Sequence, residues 1–389
     1  MTSVEHPSVG YPQPLHVILN AMSTQPGGGL TYLLGILEGL AAQKDYDFKI
    51  TVICCAQGTR EGVEKQGIAT AVQPLKDAGG IKRQYWTTTA MGKYVAQLEG
   101  DVLLTMNQYV NSVKCPQVVY HVNLLRFMPV DPKSSLKAKI FEHLRNYSAK
   151  QALQKSTANV FESEYLKDTA SKFHNRNYAD HPVIYVGLPN DLVNAKQEEV
   201  PLDYINGQLL SITNGNPHKD NTTLINSVDQ LVKLRPDVDW QLKIAGGLNE
   251  ALWAKYKQQA VDLGVKDRIQ WLGFVQQDGL TKLLHESMSV IATSQVESFC
   301  TVALEAMARG CPSIVADCAS MPESVGEASI LVPPGDATAF AKAAIEFYDS
   351  PEKRADYSNR GFKHIRQFRW DACGKGLAEV FAKLCGLKS

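Results

Sequence analysis

The sequence predicts an α/β protein with two doubly wound parallel sheets, each covered by helices on both faces. Two observations lead to this prediction. Short apolar runs alternate with amphipathic helical stretches along the chain, a pattern typical of parallel sheets packed between helices. The 389 residues are also enough for two or three domains with a core in each.

The composition is that of a globular protein, and it argues against several classes of function. Hydrophobic residues make up 44% of the chain, and 40 basic residues balance 40 acidic ones, so nothing indicates a nucleic-acid partner. No apolar run approaches the roughly 18 residues of a membrane span, and residues 1–14 lack a signal-peptide core. The eight cysteines show no metal-ligand spacing, so we expect a reduced, cytoplasmic protein.

The elements of the first half follow from its apolar runs. Strands are predicted at 16–19, 48–55, 101–105, 117–122, 158–161 and 183–186. The clearest helices between them are predicted over 30–42 and 135–154. Charge and proline then break the pattern over 189–206, which we interpret as a linker between domains.

The second half repeats the alternation. Strands are predicted at 208–213, 240–245, 268–272, 289–292, 313–315 and 330–332. Helices are predicted over 221–234, 250–263, 279–286, 301–309 and 338–347. This half therefore forms a second doubly wound domain over 207–369, after a first domain over 1–188.

The most informative segment is 290–317, VIATSQVESFCTVALEAMARGCPSIVAD. A buried strand leads into a loop with Glu297, and a helix carrying Glu305 follows. Gly310 and Pro312 end that helix, and a further strand begins. The amide groups of the helix's first turn suit phosphate, and the two carboxylates suit sugar hydroxyls. This pattern indicates a nucleotide-sugar site.

The order of strand, S-x-x-E-S-F, helix with E-A-M-A-x-G-x-P and strand resembles the E-x7-E signature of the GT4 family. These are retaining glycosyltransferases with the GT-B fold, in which two Rossmann-like domains face a central cleft. The resemblance implies an acceptor-side domain over 1–188 and a nucleotide-sugar donor domain over 207–369. It also implies that the last helix, over 370–387, crosses back to pack on the first domain.

The resemblance further implies a retaining, metal-independent hexosyltransferase that needs no cofactor. Its donor would be a nucleotide-diphosphate sugar, in first place a UDP- or GDP-sugar. Its acceptor would be a saccharide or a lipid-linked molecule, as in the synthesis of cell-surface polysaccharide or glycolipid. Two other classes stay open: a nucleotide-sugar epimerase of the same fold, and a nucleotide-sugar-binding protein with a disabled site.

Individual roles follow from the same resemblance. Lys219, in SITNGNPHKDN, would neutralise the departing diphosphate. Glu297 would hold the sugar hydroxyls and Glu305 the ribose hydroxyls, while His121 matches the family's active-site histidine. Further donor contacts are expected from Gly27, Gly28, Gly29, Asn214, Asn216, Gly246, Phe274, Val275, Phe299, Cys300, Thr301 and Val302.

The chain departs from the family pattern at two places. Many relatives carry arginine a few residues before the lysine, where this chain has Asn214 and Asn216. Cys300 stands where relatives often have glycine, and a thiol at a helix N-terminus is expected to have a lowered pKa. Both departures keep the binding-protein alternative open.

A basic amphipathic segment over 135–155 indicates a second kind of partner. It carries five basic residues and one acidic residue, and apolar residues such as Leu124 and Phe127 precede it. Such a segment would make peripheral contact with an anionic membrane surface, here the inner face of the membrane. An ordinary helix with its apolar side on the core is an equally good interpretation.

Overall fold

The computed structural model describes residues 14–130, 132, 135–195, 204–247 and 250–387. The chain divides into two compact units between Pro189 and Asn190, and again between Gln367 and Phe368. Unit 1 is the part before the first boundary together with the part after the second, and unit 2 lies between them. The N-terminal segment 1–13 and the linker stretch 196–203 lie outside the described residues.

Unit 1 contains six strands and seven helices among its described residues. The strands are β1 (Leu15–Ala21), β2 (Phe48–Cys54), β3 (Thr70–Val72), β4 (Val102–Met106), β5 (Gln117–His121) and β6 (Ala158–Phe161). The helices are α1 (Gly28–Ala41), α2 (Gln57–Gln66), α3 (Gly80–Thr89), α4 (Met91–Gln97), α5 (Leu136–Lys155), α6 (Glu164–His174) and, at the end of the chain, α15 (Trp370–Leu384).

Unit 2 has the same plan. Its strands are β7 (Ile205–Ile212), β8 (Gln241–Ala245), β9 (Ile269–Gly273), β10 (Ser287–Ala292), β11 (Ser313–Ala316) and β12 (Ser329–Val332). Its helices are α7 (Asn190–Val193), α8 (Asn221–Leu234), α9 (Glu250–Asp262), α10 (Gln277–Glu286), α11 (Thr301–Met307), α12 (Met321–Val325), α13 (Ala337–Asp349) and α14 (Pro351–His364).

Both sheets are parallel and have six strands. Their orders are β3-β2-β1-β4-β5-β6 and β12-β11-β10-β7-β8-β9, so in each sheet the first strand lies beside the fourth. The strand order reverses at this pair, and in doubly wound sheets ligands bind beyond the carboxyl ends of the strands at such a point. The predicted fold class, two doubly wound parallel sheets, is confirmed.

One predicted strand is wrong. Residues 183–186 do not form a strand, because only Val183 forms a bridge, to Phe161 at the edge of the sheet. Beyond it the backbone turns away to Leu188, which bridges Arg369. Gly187 lies close to Trp370: a Cβ added to Gly187 would be 2.3 Å from the backbone nitrogen of Trp370. Residues 187 and 188 therefore lie against the C-terminal part of the chain at Arg369 and Trp370.

The last helix packs on the first one. Trp370 lies over Gly35 of α1, where an added Cβ would be 2.0 Å from the indole ring, and Gly374 meets Gly39 backbone to backbone. Phe381 meets Phe48 of β2 edge to face. Glycine pairs of this kind let two helix backbones approach closely, so α15 completes the core of unit 1.

Helix α5 exposes apolar side chains in its first half, whereas Ala149, Ala152 and Leu153 in its second half are buried. Leu124 and Phe127, expected to join it in a membrane contact, are buried in unit 1, because their side chains pack inward. The exposed apolar side chains of α5 are Leu136, Ile140, Phe141, Leu144 and Tyr147. Membrane contact by this helix stays a prediction. Within the described ranges, none of the helices has the length and apolar character needed to cross a bilayer.

Candidate functional site

The site of unit 2 lies where β7 and β10 end side by side. The loop after β7 carries Lys219, and the loop after β10 carries Glu297. Although they are 78 residues apart, the Lys219 ammonium lies 2.5 Å from a Glu297 carboxylate oxygen. The side chains are 16% and 20% exposed, so the pair is sheltered but open to a ligand. Because β7 and β10 are neighbours at the point where the strand order reverses, Lys219 and Glu297, both predicted to bind the donor, lie side by side.

Hydrogen bonds join the loop after β7 to the loop after β10. The Thr293 hydroxyl donates to the carbonyl oxygens of Lys219 and Asp220, both at 3.1 Å. The Gln295 amide donates to the carbonyl of His218 at 2.8 Å, and its side chain donates to Asp220 at 2.9 Å. The backbone on either side of the Lys219–Glu297 pair is therefore fixed by contacts across the two loops.

Asp220 is a part of this arrangement that the sequence analysis did not single out. It takes a left-handed conformation with φ of 46°, and its carboxylate accepts hydrogen bonds from the amide and hydroxyl of Thr223. It thereby caps α8 and turns the chain immediately after Lys219. The pattern of Asp followed three residues later by Thr at a helix start was a signal that could have identified the cap.

The segment from Glu297 to Cys300 is anchored on α12. The Ser320 hydroxyl donates to the Glu297 carbonyl at 2.7 Å, and the Cys300 amide donates to the Ser324 hydroxyl at 3.1 Å. The Thr301 amide donates to the Phe299 carbonyl. Two of the amides expected to meet phosphate therefore already have partners in this structure, and α11 has only seven residues.

Cys300 is not an activated thiol. The side chain is buried, and this burial raises the pKa of the Cys300 thiol to about 12. The expectation of a lowered pKa is wrong, because removal from water disfavours the thiolate more than the N-terminus of the short helix α11 can favour it. Phe299 beside it is also buried, whereas Thr301 and Val302 are half-buried.

Glu305 lies one turn into α11, beside Arg309. Burial raises the pKa of its carboxyl group, and the charge of Arg309 partly opposes that rise. The Arg309 guanidinium has other hydrogen-bond acceptors. It donates to the backbone carbonyl of Glu305 at 3.2 Å and to the Thr281 hydroxyl at 3.0 Å. The carboxylate thus remains available for a ligand's hydroxyl groups.

Contacts with neighbouring backbone fix the conformation of three predicted donor-binding residues, Asn214, Asn216 and Gly246. The Asn214 side chain accepts a hydrogen bond from the Asn216 amide at 3.0 Å, which closes a turn. Gly246 has φ of 151°, and an added Cβ would lie 1.6 Å from the Thr213 carbonyl oxygen. The glycine is therefore required by the approach of two loops, whether or not a ligand is present.

Phe274 and Val275 follow β9, and their environments differ. The Phe274 side chain is 68% exposed, while Val275 packs against the core that contains Leu210 and Ala245. An exposed phenylalanine at a carboxyl strand end is available to a flat ring such as a nucleobase. Its role in donor binding stays a prediction.

Gly27, Gly28 and Gly29 lie in unit 1, at the start of α1 and beyond the end of β1. All three are exposed, and nothing lies within 4 Å of a Cβ placed on Gly27 or Gly28. Gly27 has φ of 108° and needs glycine for its backbone conformation. The space beside the loop is open to a ligand, and the predicted phosphate contact stays a prediction.

His121 is placed differently from the other predicted residues. Its ring is fully buried, stacked on Phe161 with ring centroids 5.0 Å apart, and Nε2 lies 2.8 Å from the Asn159 oxygen. Burial lowers the pKa of His121 to about 4, so the ring is neutral at neutral pH. A catalytic role would require the ring to become exposed, and that role stays a prediction.

Comparison with known proteins gives one match to a family model and a group of relatives. Residues 196–364 match the model described as glycosyl transferases group 1. Over 171 residues the chain is 29% identical to D-inositol 3-phosphate glycosyltransferase of Corynebacterium efficiens, covering 43% of this chain and 40% of that protein. It is 27% identical to O-antigen chain mannosyltransferase B of Escherichia coli, covering 43% of each. The matched part therefore spans about two fifths of these relatives' length.

Solved structures resemble almost the whole chain. A glycosyltransferase of Rickettsia africae has a TM-score of 0.72 at 13% identity, over 96% of this chain and 99% of that one. HepE of Anabaena, solved with UDP and glucose, has a TM-score of 0.70 at 17% identity, over 95% and 100%. At these identities the likeness concerns the fold, and the predicted GT-B fold is confirmed.

Proposed function

We propose that the chain transfers a sugar from a nucleoside diphosphate sugar to an acceptor, and the match of residues 196–364 to the glycosyl transferases group 1 model supports this proposal. The observation that carries the proposal is the Lys219–Glu297 pair at the switch point of the second sheet. A cation and a carboxylate side by side, at the carboxyl ends of β7 and β10, suit a charged diphosphate joined to a hydroxyl-rich sugar.

The proposed roles follow from this geometry. The Lys219 ammonium has three donors, so it can keep its bond to Glu297 while another N–H meets the diphosphate. Its charge would stabilise the phosphate oxygens as the bond to the sugar breaks. Glu297 would orient the sugar hydroxyls, and Glu305 would bind the ribose hydroxyls. Neither carboxylate serves as a nucleophile in this scheme.

Retention of the sugar's configuration belongs to the same proposal. The acceptor would attack from the face on which the diphosphate leaves, and a phosphate oxygen of the donor would take the acceptor's proton. We propose no metal in this reaction, because Lys219 supplies positive charge at the diphosphate. The epimerase and binding-protein alternatives gain no support from the relatives, which are named as transferases.

The proposal is tested by thermal denaturation of the chain with UDP-, GDP-, ADP- and dTDP-sugars in turn. A bound donor stabilises the fold by RT ln(1 + [L]/Kd), about 2.7 kcal/mol at 100 times Kd, so the correct donor should raise Tm. A mixture of acceptors should then release the nucleoside diphosphate from that donor. Failure of all four to raise Tm would refute the donor assignment, and turnover to an isomeric sugar without acceptor would indicate an epimerase.

The two glutamates should differ in what they bind. Replacing Glu305 with alanine is expected to weaken the binding of any nucleotide that carries ribose hydroxyls. Replacing Glu297 with alanine should spare the binding of free nucleotide, because it removes only Lys219's intramolecular partner, and should impair the binding or transfer of the sugar. Calorimetric titration of both variants with nucleoside diphosphate and with the intact donor measures the difference. Equal weakening of free-nucleotide binding would contradict these roles.

A further inference from the structure

The first half of helix α5 extends beyond the sheet of unit 1. The helix has 20 residues, which span about 30 Å at 1.5 Å per residue. The strands on either side of it in the chain, β5 and β6, have five and four residues and span about 17 Å at most. The buried residues of α5, Ala149, Ala152 and Leu153, all lie in the half that leads into β6. The half that follows β5 therefore projects past the carboxyl ends of the strands.

This projecting half carries a stripe of large apolar side chains, each between 54% and 76% exposed. The stripe consists of Leu136, Ile140, Phe141, Leu144 and Tyr147. At 3.6 residues per turn, all of them except Phe141 fall within about 80° of arc, on the side of the helix opposite to the buried Ala149. Large apolar side chains grouped on a protein surface mark an interaction site. The stripe therefore indicates a surface that binds a partner.

Basic residues flank the stripe on both sides. Lys139 and Lys150 lie on one side of it, and Lys137 lies on the other. Helix α5 carries five Lys or Arg residues and one acidic residue, Glu142, although the whole chain has 40 residues of each sign. A second copy of the helix would bring like charges together, whereas an anionic lipid surface complements both the charge and the apolar stripe. Charge complementarity therefore favours a membrane as the partner.

Helix α3 carries a second, smaller group of the same kind. Ile81 and Tyr85 are 91% and 70% exposed, and two basic residues stand between them in the sequence. The start of α3 lies at the carboxyl edge of the sheet, because the amide of Asp77, three residues earlier, donates to the carbonyl of Cys55 just after β2 at 2.8 Å. Both groups therefore lie at the same edge of unit 1.

We propose that the stripe docks the chain on a bilayer that contains anionic phospholipids. The helix lies in the plane of the membrane surface, with Leu136, Ile140 and Leu144 among the acyl chains and the flanking lysines at the phosphate groups. In doubly wound domains ligands bind beyond the carboxyl ends of the strands, so docking brings that edge of unit 1 to the membrane. Docking itself does not depend on sugar transfer. Access of this edge to an acceptor held in the bilayer is the one consequence that rests on the proposed function.

The experiment is sedimentation of the full-length chain with vesicles of phosphatidylglycerol and phosphatidylcholine in equal parts, and with vesicles of phosphatidylcholine alone. We expect the chain to bind the mixed vesicles much more tightly than the uncharged ones. Added salt should weaken this binding, because it screens the attraction between the lysines and the anionic headgroups. Equal binding to the two kinds of vesicle, or no binding to the mixed ones, would overturn the proposal.

A double substitution tests the apolar stripe. Ile140→Ser combined with Leu144→Ser removes two exposed apolar groups, so the fold should be kept while the partition coefficient onto mixed vesicles falls at least tenfold. Val261→Ser on α9 is the matched control, because Val261 is also an exposed apolar residue of a helix, at 50%. Binding should be unchanged in that control. Binding by the double variant equal to that of the unaltered chain would contradict the proposed surface.

A second pair of substitutions tests the charge. Lys137→Gln combined with Lys150→Gln should lower the partition coefficient about 25-fold, since a basic residue near an anionic membrane contributes roughly a factor of five. Lys342→Gln, at an exposed position of α13, is the control and should bind like the unaltered chain. Equal effects of the control and the pair would mean that net charge alone attracts the chain, and the stripe would not be the docking surface.

Light scattering without vesicles tests a second copy of the chain as the partner. We expect the unaltered chain and the Ile140→Ser/Leu144→Ser variant to have the same mass in solution. A dimer that this variant converts to a monomer would show that the stripe joins two copies, and the membrane proposal would be wrong. The thermal screen with nucleotide-sugars uses no vesicles, so failure of the vesicle experiment and failure of the donor assignment are separate results.

Discussion

Replacing Lys219 with alanine is expected to lower kcat/KM for sugar transfer about 30- to 150-fold, which corresponds to roughly 2–3 kcal/mol of transition-state stabilisation. The ammonium is largely sheltered beside Glu297, where charge is screened less than on an open surface. Its effect should be greatest as the diphosphate leaves, because negative charge on the bridging oxygen increases at that point. Steady-state kinetics with the donor found by the thermal screen measure the change.

Lys243 provides a matched control for this substitution. It also lies in unit 2, its side chain is likewise 16% exposed, and it pairs with Glu286 at 3.5 Å. Lys243→Ala therefore removes an ion pair of similar exposure at another position, and kcat/KM should change little. Equal losses in the two variants would show a general effect on folding. An unchanged kcat/KM in Lys219→Ala would remove Lys219 from the site.

Ending the chain after Arg369 is expected to destabilise unit 1 severely, even though the Lys219–Glu297 pair is in unit 2. The deletion removes α15, whose buried side chains include Trp370, Leu377 and Phe381. Full burial of a large apolar side chain contributes about 1.5–3 kcal/mol, and a typical domain has only about 5–15 kcal/mol of stability. Limited proteolysis should cleave unit 1 rapidly in the truncated protein, and transfer should be impaired.

A chain ending after Cys385 keeps α15 and is the control for the truncation. A single substitution tests the same packing more finely. Gly374→Ala would place a methyl group 2.0 Å from the backbone of Gly39, whereas at Gly376 the nearest atoms are side-chain atoms of Ile184 at 3.0 Å. The first change should lower Tm much more than the second, because a backbone cannot move aside as a side chain can, and alanine's better helix propensity is the same at both positions. Protease resistance equal to the full chain's after removal of α15 would refute its role in unit 1.

Much of the fold was predictable because strand and helix formation depend on local patterns. Apolar runs such as the one before Thr293 formed strands close to their expected bounds, and helix α8 begins and ends where it was predicted. The three-residue strand β3, the bounds of helices α2 to α4, and helix α14 were not predicted, because these segments contain few apolar residues. The strand expected at 183–186 failed because the backbone soon leaves the edge of the sheet and Leu188 bridges Arg369, a long-range contact that an apolar run does not reveal.

The candidate site was predicted in part for the same reason. Glu297 and Glu305 stand in a motif within one short segment, and Lys219 stands in a recognisable loop, so all three could be selected as candidates from the sequence alone. Asp220, Thr293 and Gln295, which hold the loops together, were missed because each acts through a partner more than 70 residues away or through a turn. The lowered pKa expected for Cys300 failed because burial depends on the surrounding fold.

The sequence by itself determined the alternation of strands and helices, the family motif and the identity of the donor-site candidates. Only the tertiary structure decided which of these residues meet. Lys219 and Glu297 form an ion pair because β7 lies beside β10, and His121 is buried because β6 places Phe161 against its ring. Strand order depends on long-range packing of whole elements, whereas the formation of each element depends on its neighbours in the chain.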